Sequence, residues 1–359
     1  MSAKSLTKHL STKPSKLITV IIVVLAVGGF GYLALRLSGA ATPAASFEAE
    51  SGTISGTATK PSDATASGGA SVKFQAGTPP TGQTVTIAAA GDIGVSPGTN
   101  DTKTANLIKA DTSISAVLVA GDLAYPNGTA AEFEYYDETW GQFKNKSYPA
   151  IGNHELFSTK QNYIDYWQNN GKWATTSQVA PALVSAMTSS KMYYSLNIGS
   201  WHIIALDSAD APRTSSSAQV TWLKADLAAN TSACTLAFFH HPWVSDAGTG
   251  AAADITPIVQ ALAADKADVV IAGHEHKYVK FNKMDATGKA SATGIRHWVV
   301  GAGGTGAGGN SAATPHPQKA LTLKENGYMK MVLSPTSYTW QYINASGAVR
   351  DTGSDTCTI

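Results

Sequence analysis

The chain has 359 residues, room for one or two domains with a sizeable core, and carries a formal net charge of +1 with only 14% charged residues. That balance argues against a nucleic-acid binder, whose affinity rests on a basic patch. The basic residues that stand out are at the start, where Lys4, Lys8, Lys13 and Lys16 precede any acidic residue.

In chain order, the first element is the apolar run 17–35. As a helix at 1.5 Å per residue it spans roughly 28 Å, close to the ~30 Å hydrocarbon core of a bilayer. It exceeds the ~7–15 residues of a signal-peptide core. The lysines before it and the single Arg36 after it favour a cytoplasmic tail at 1–16. Segment 17–37 reads as a transmembrane anchor, or alternatively as a long signal sequence cut near 38–41. Either reading puts the remainder outside the cytoplasm. No cysteine follows the run closely, which argues against a lipoprotein anchor.

Residues 38–83 are rich in Ser, Thr, Gly, Ala and Pro. The pieces FEAESGTISG (47–56) and ASGGASVKF (66–74) resemble the first strands of a jelly-roll carbohydrate-binding module. About 30 residues cannot close an eight-stranded sandwich, and no aromatic platform follows. A weak contact with wall glycans is one reading; a short β-rich spacer ending at GTPPTG is the simpler one.

From Val85 strands and helices alternate. Strands are expected over 85–90, 116–120 and 148–151, with helices over 102–110 and 131–144 between them. This is a βαβαβ pattern with motifs about 30 residues apart. Strands 201–207, 235–240 and 268–272 and helices 218–229 and 255–264 follow; beyond Lys277 the chain looks mainly β. Segment 158–190 gives no clear pattern, and the Gly-rich run 301–309 reads as a loop that can border a site. That run lacks the Gly-Lys-Ser/Thr ending of a phosphate cradle.

Five polar clusters end these apolar runs: GDIG at 91–94, GDLAY at 121–125, GNHE at 152–155, HHPW at 240–243 and GHEH at 273–276. One Gly-Asp at a strand end can simply cap a turn. Five such clusters at the carboxyl ends of strands, where α/β sheets build their sites, point to two metal ions side by side. One ion takes Asp92, Tyr125 and His276; the other takes Asn153, His240 and His274; Asp122 bridges them. The anionic first set suits ferric iron, the neutral second set a divalent ion such as zinc, iron or manganese. Three ligand anions against five metal charges leave a surplus of about two for a phosphate and a metal-bound hydroxide.

These motifs resemble the calcineurin-like metallophosphoesterases, and Tyr125 three residues after Asp122 narrows the resemblance to the purple-acid-phosphatase-like branch, bacterial members included. The resemblance runs from about Val85 to the C-terminus. It implies an α/β fold, a four-layer αββα sandwich over 84–359, with the dimetal site at one edge. It carries the same seven ligands over, places His154 beside the substrate as leaving-group acid, and makes Glu155 a support rather than a ligand. One departure is that 245–254 lacks the histidines that plant and animal relatives carry after this motif, so the acid role falls more heavily on His154.

The other histidines receive structural readings. His241 follows His240 along a strand and is expected on the opposite face, unless a bend at Pro242 turns it to the pocket. His202 and His297 read as core or surface residues, His316 as loop, and His9 lies in the tail. Cys234 and Cys357 are expected to pair. Three functions stand open. The first is a phosphomonoesterase acting on small phosphate esters by attack of a metal-bound hydroxide. The second is a phosphodiesterase or nucleotidase on the same site. The third is an inactive surface binding protein.

Overall fold

The computed structural model describes residues 58–59, 73–74, 82–170, 173, 179–188, 190–246, 255–308 and 315–358. The chain divides into two units, Met1–Gln75 and Ala76–Ile359. In the first, Ala58–Thr59 pairs antiparallel with Lys73–Phe74. The expected anchor 17–37, the tail before it and most of the spacer lie outside the described residues. Among the described residues no helix is long and apolar enough to cross a membrane.

The second unit opens with strand β1, Val85–Ala90. Helix α1 (Asn100–Ala110) buries Thr104, Ala105 and Ile108 on one face, with Asp101 in its first turn and Lys109 in its last, both matched to the helix dipole. Strand β2 (Ile114–Ala120) leads to helix α2 (Ala130–Thr139), which starts on a capping box between Thr129 and Glu132. Strand β3 (Ser147–Ala150) completes the expected βαβαβ unit. The helix expected over 131–144 stops at Thr139. Trp140–Lys146 is a 3₁₀ segment in which Phe143 leaves helical geometry (φ −129°), while Trp140 and Phe143 turn into the core. Two helices occupy the stretch without a clear pattern: α3 (Lys160–Trp167), capped by Thr159, and α4 (Pro181–Ala186).

The second half supplies β4 (Tyr194–Ile198), β5 (Trp201–Ala205), α5 (Ala218–Ala229), β6 (Cys234–Phe239), α6 (Thr256–Ala264) and β7 (Val269–Ala272). It continues with β8 (Tyr278–Phe281), β9 (Arg296–Val300), β10 (Lys319–Leu323), β11 (Gly327–Ser334), β12 (Ser337–Asn344) and β13 (Val349–Thr356). One sheet runs β13-β12-β11-β1-β2-β3, with β1, β2 and β3 parallel. The other runs β10-β8-β9-β7-β6-β5-β4, with β9, β7, β6 and β5 parallel.

The sheets face each other. Trp201 packs on Tyr338, Trp298 on Trp340, and Tyr278 stacks on Tyr342 at 4.2 Å. On the outer side of the seven-stranded sheet, Ile204, Ala237 and Val270 pack with Val220, Leu223 and Leu227 of α5 and Ile258 and Leu262 of α6. On the six-stranded sheet, Lys330 alternates with inward Met329 and Met331, points outward, and meets Asp111 at the end of α1 at 2.5 Å. The layers are therefore helix, sheet, sheet, helix. Cys234 and Cys357 form a disulfide between the start of β6 and the residue after β13, and so join the two sheets.

Candidate metal centre

Each motif sits just past a strand end, where the chain must turn sharply. Asp92, Asp122 and His274 all take left-handed backbone conformations, with φ of 59°, 51° and 70°. For residues with a Cβ this costs of order 1 kcal/mol or more each, and it persists only where the surroundings impose it. The preceding glycines let the loops close on one another: a methyl group on Gly273 would lie 2.7 Å from Asp92 Oδ2. The backbone N–H of His274 donates to that same Oδ2 at 2.7 Å.

Two triangles of donor atoms result. In the first, Tyr125 Oη donates to Asp92 Oδ1 at 2.7 Å and lies 3.1 Å from His276 Nε2, itself 3.3 Å from Asp92 Oδ1. In the second, Asn153 Oδ1 is 2.9 Å from His240 Nε2 and 3.1 Å from His274 Nδ1, and those two nitrogens are 3.2 Å apart. Asp122 Oδ2 belongs to both, 2.9 Å from Tyr125 Oη and 3.1 Å from His240 Nε2. Donors about 3 Å apart match the spacing around one ion with bonds of ~2.0–2.2 Å. All seven sequence-expected ligands thus come together in two sets that could each hold a cation, with Asp122 shared.

The electrostatics fit cations in these positions. Burial, reinforced by the charges of Asp92 and Asp122, pushes the Tyr125 phenol well above its ordinary value. Burial would also raise Asp122, but the His240 and His154 imidazoles outweigh it and hold the carboxyl well below the usual range. Burial opposes protonation of His240, yet the Asp122 carboxylate drives its value up to about 9. Without a cation, protons on His240 and Tyr125 offset the carboxylates; a bound cation would take over that task. Burial and then the His240 charge hold His274 down, whereas Asp92 raises His276 against burial.

His154 borders this cluster. Its backbone N–H donates to Asp122 Oδ1 at 2.9 Å, its Nδ1 donates to the Pro126 carbonyl at 2.5 Å, and its Nε2 lies 3.7 Å from Asp122 Oδ2. The ring is held between Tyr125 (4.2 Å) and Phe157 (4.7 Å), and Phe157 itself is 60% exposed. Glu155 is buried away from the donor triangles, as expected, and accepts four backbone N–H groups, from Asp122 (3.0 Å), Leu123 (2.8 Å), Ala124 (3.3 Å) and Gly152 (2.8 Å). Burial and the Asp122 charge push its carboxyl up to about 7 against the pull of those amides. The Gly-rich loop borders the site: the N–H groups of Gly304 and Thr305 both donate to the Asp92 carbonyl, and that of Gly308 to the His276 carbonyl.

His241 departs from expectation. Its ring lies 4.6 Å from that of His274 and 5.0 Å from that of His240, on the site side. Strand β6 ends at Phe239, so the two-residue alternation no longer applies at 240–241, where both backbone N–H groups turn onto Ser208 Oγ. Burial, then the His240 and His274 charges, bring its value down to about 3. Ser208 itself was not legible as a site residue; its only signal is a polar run after an apolar strand. A buried network behind GHEH was missed as well: Glu275 accepts from Ser245 and the Asp246 amide, and Lys277 lies 3.4 Å from Glu275 and 3.5 Å from Asp246. His202 is satisfied by Asn197 and Asp226, His297 is buried, and His316 is in a loop, all as expected. His9 lies outside the described residues.

Comparison with known proteins agrees with this geometry. The chain is 28% identical over 298 residues to purple acid phosphatase 18 of Arabidopsis thaliana, covering 76% of this chain and 63% of that protein. It therefore spans less than two thirds of that curated relative's length. Among solved structures, the purple acid phosphatase PPD1 from yellow lupin superposes with a TM-score of 0.65 at 17% identity, over 77% of this chain and 55% of that one. GAP50, the anchor in the inner membrane complex of Plasmodium, superposes with a TM-score of 0.59 at 12% identity, over 76% and 89%. At such identities the structures establish a shared fold alone. The profile of the calcineurin-like phosphoesterases matches residues 85–278, more than half of the chain, and takes in every residue of the two donor triangles. The protein belongs to the calcineurin-like phosphoesterase family.

Proposed function

We propose that this protein is a metal-dependent phosphoric ester hydrolase that acts on monoesters through two cations. The observation that carries this reading is the pair of donor triangles sharing Asp122 Oδ2. Asp92, Tyr125 and His276 suit the harder, more highly charged ion, such as Fe³⁺; Asn153, His240 and His274 suit a divalent one such as Zn²⁺, Fe²⁺ or Mn²⁺. When bound, the ions polarise the phosphate and acidify a water molecule. The Arabidopsis relatives named as purple acid phosphatases support the same reaction class.

His154 then supplies the leaving-group proton. Its Nδ1 is committed to the Pro126 carbonyl, which can only accept, so Nδ1 carries a proton and Nε2 faces the cluster. A second proton on Nε2 makes the ring an acid at that atom. Tyr125 and Phe157 keep the ring in place.

The proposed setting is outside the cytoplasm. It is supported by the lysine-flanked apolar run 17–35 and by the disulfide, which persists in oxidising compartments.

The test is metal analysis and a visible spectrum of the purified protein, followed by turnover of a panel of phosphate monoesters and diesters. Two metal equivalents, a tyrosinate-to-iron band and faster monoester turnover are the expected results. Preference for diesters would replace the monoester assignment. Near-normal turnover in metal-stripped protein would exclude the mechanism.

A further inference from the structure

His241 is an imidazole at the site that neither donor triangle uses. Ser208, just past β5, sets its chemistry. Ser208 Oγ accepts the backbone N–H of His240 at 3.1 Å and that of His241 at 2.9 Å, and lies 3.2 Å from His241 Nδ1. A hydroxyl oxygen has two lone pairs and one proton. Both lone pairs are taken by the amides, so the proton is directed to Nδ1. The neutral ring then carries its own proton on Nε2. An Nε2–H cannot offer a lone pair to a metal, but it can donate to an anion. One ring nitrogen of His241 lies within 4.8 Å of ring nitrogens of both His240 and His274, and the ring is only partly buried.

We infer that His241 is a substrate-contacting residue whose Nε2–H donates to a phosphoryl oxygen on the His240–His274 side of the centre, and that Ser208 is the positioning residue that fixes its tautomer. This rests on the phosphoesterase reading above and adds a contact to it. The contact recognises the phosphoryl group common to all such substrates, not the leaving group.

The test uses the full chain loaded with Zn²⁺ and titrated with inorganic phosphate, beside metal analysis and steady-state kinetics. His241→Ala is expected to keep two zinc equivalents and to weaken phosphate binding about tenfold, as loss of one hydrogen bond to an anion does. His241→Gln, whose side-chain amide keeps a donor at similar reach, is expected to recover most of that loss. Loss of a zinc equivalent in His241→Ala would make the ring a ligand and overturn the inference. Unchanged phosphate affinity, or a Gln variant no better than Ala, would overturn it too. The phosphate titration needs no turnover. A chain that binds phosphate through His241 yet hydrolyses no ester would sink the activity and leave this contact standing.

Discussion

Glu155 Oε2 accepts the backbone N–H of Asp122 at 3.0 Å, so the aspartate common to both donor triangles is held in its left-handed turn by a carboxylate one motif away. The same side chain takes the amides of Leu123, Ala124 and Gly152 and so splices GDLAY to GNHE. Glu155→Gln would turn an NH₂ group toward one pair of these donors. The expected cost is about 2–4 kcal/mol, the scale of buried donors left unsatisfied. It should appear as a lower urea midpoint together with weaker metal retention; wild-type values for both would remove this supporting role.

Metal removal should expose a pH dependence. The His240 value of about 9 in the folded state lies above the ordinary 6.5. Its contribution is therefore complete below pH 6.5 and lost as pH rises toward 9. Asp122 is shifted the other way, so its contribution is present above the ordinary 3.8 and lost as pH falls through its depressed folded value. Between about pH 4 and 6.5 both of these contributions are in place, and metal-stripped protein should lose the His240 share as pH rises toward 9. Loaded protein should not weaken over that alkaline range, because the cation replaces the proton. Unfolding midpoints of both forms from pH 5 to 9 decide it, and Asp122→Asn should flatten the metal-free profile.

His154→Ala should leave metal content intact, since the ring stands outside both donor triangles. Turnover of alkyl phosphates, whose leaving oxygen needs a proton, should fall by ~10²-fold or more. Turnover of p-nitrophenyl phosphate should fall less. Equal losses for the two ester types would exclude the acid role.

Much of this site could be read from residue order alone. Asp92, Asp122, Asn153, His240 and His274 each follow an apolar run directly or after one glycine, and at Gly91, Gly121, Gly152 and Gly273 a Cβ would collide with a neighbouring loop. Tyr125 and His276 came from spacing within the same motifs. What escaped had no such local signature. His241 is expected across the sheet only if β6 runs through it, whereas β6 ends at Phe239 and the next two amides turn onto Ser208, a residue distant in sequence. The break in the helix at Trp140 combines a local and a tertiary cause: Gly141 is a poor helix former, and Trp140 and Phe143 turn into the core.

Removing the disulfide by Cys234→Ser with Cys357→Ser releases a crosslink spanning 123 residues of sequence. The chain-entropy model gives an upper value of about 5 kcal/mol, and a loss of ~3–5 kcal/mol is expected in urea unfolding. Zinc affinity should survive, because no ligand touches either sulfur. Oxidised protein and the double variant unfolding at one midpoint would show that the bond contributes nothing.

The disulfide and the candidate metal centre sit at opposite ends of one strand. Cys234 opens β6 and His240 follows its last residue, about 20 Å further along. At one end sulfur clips the sheets together; at the other, Asp92, Asp122 and Asn153 from one sheet meet His240, His274 and His276 from the other. With cations bound, the sandwich would be riveted twice along a single axis, and neither layer could slide over its mate without parting a rivet. Chelators should act on this protein as reductants do, by freeing the layers to shear, and the two treatments together should loosen it more than either alone.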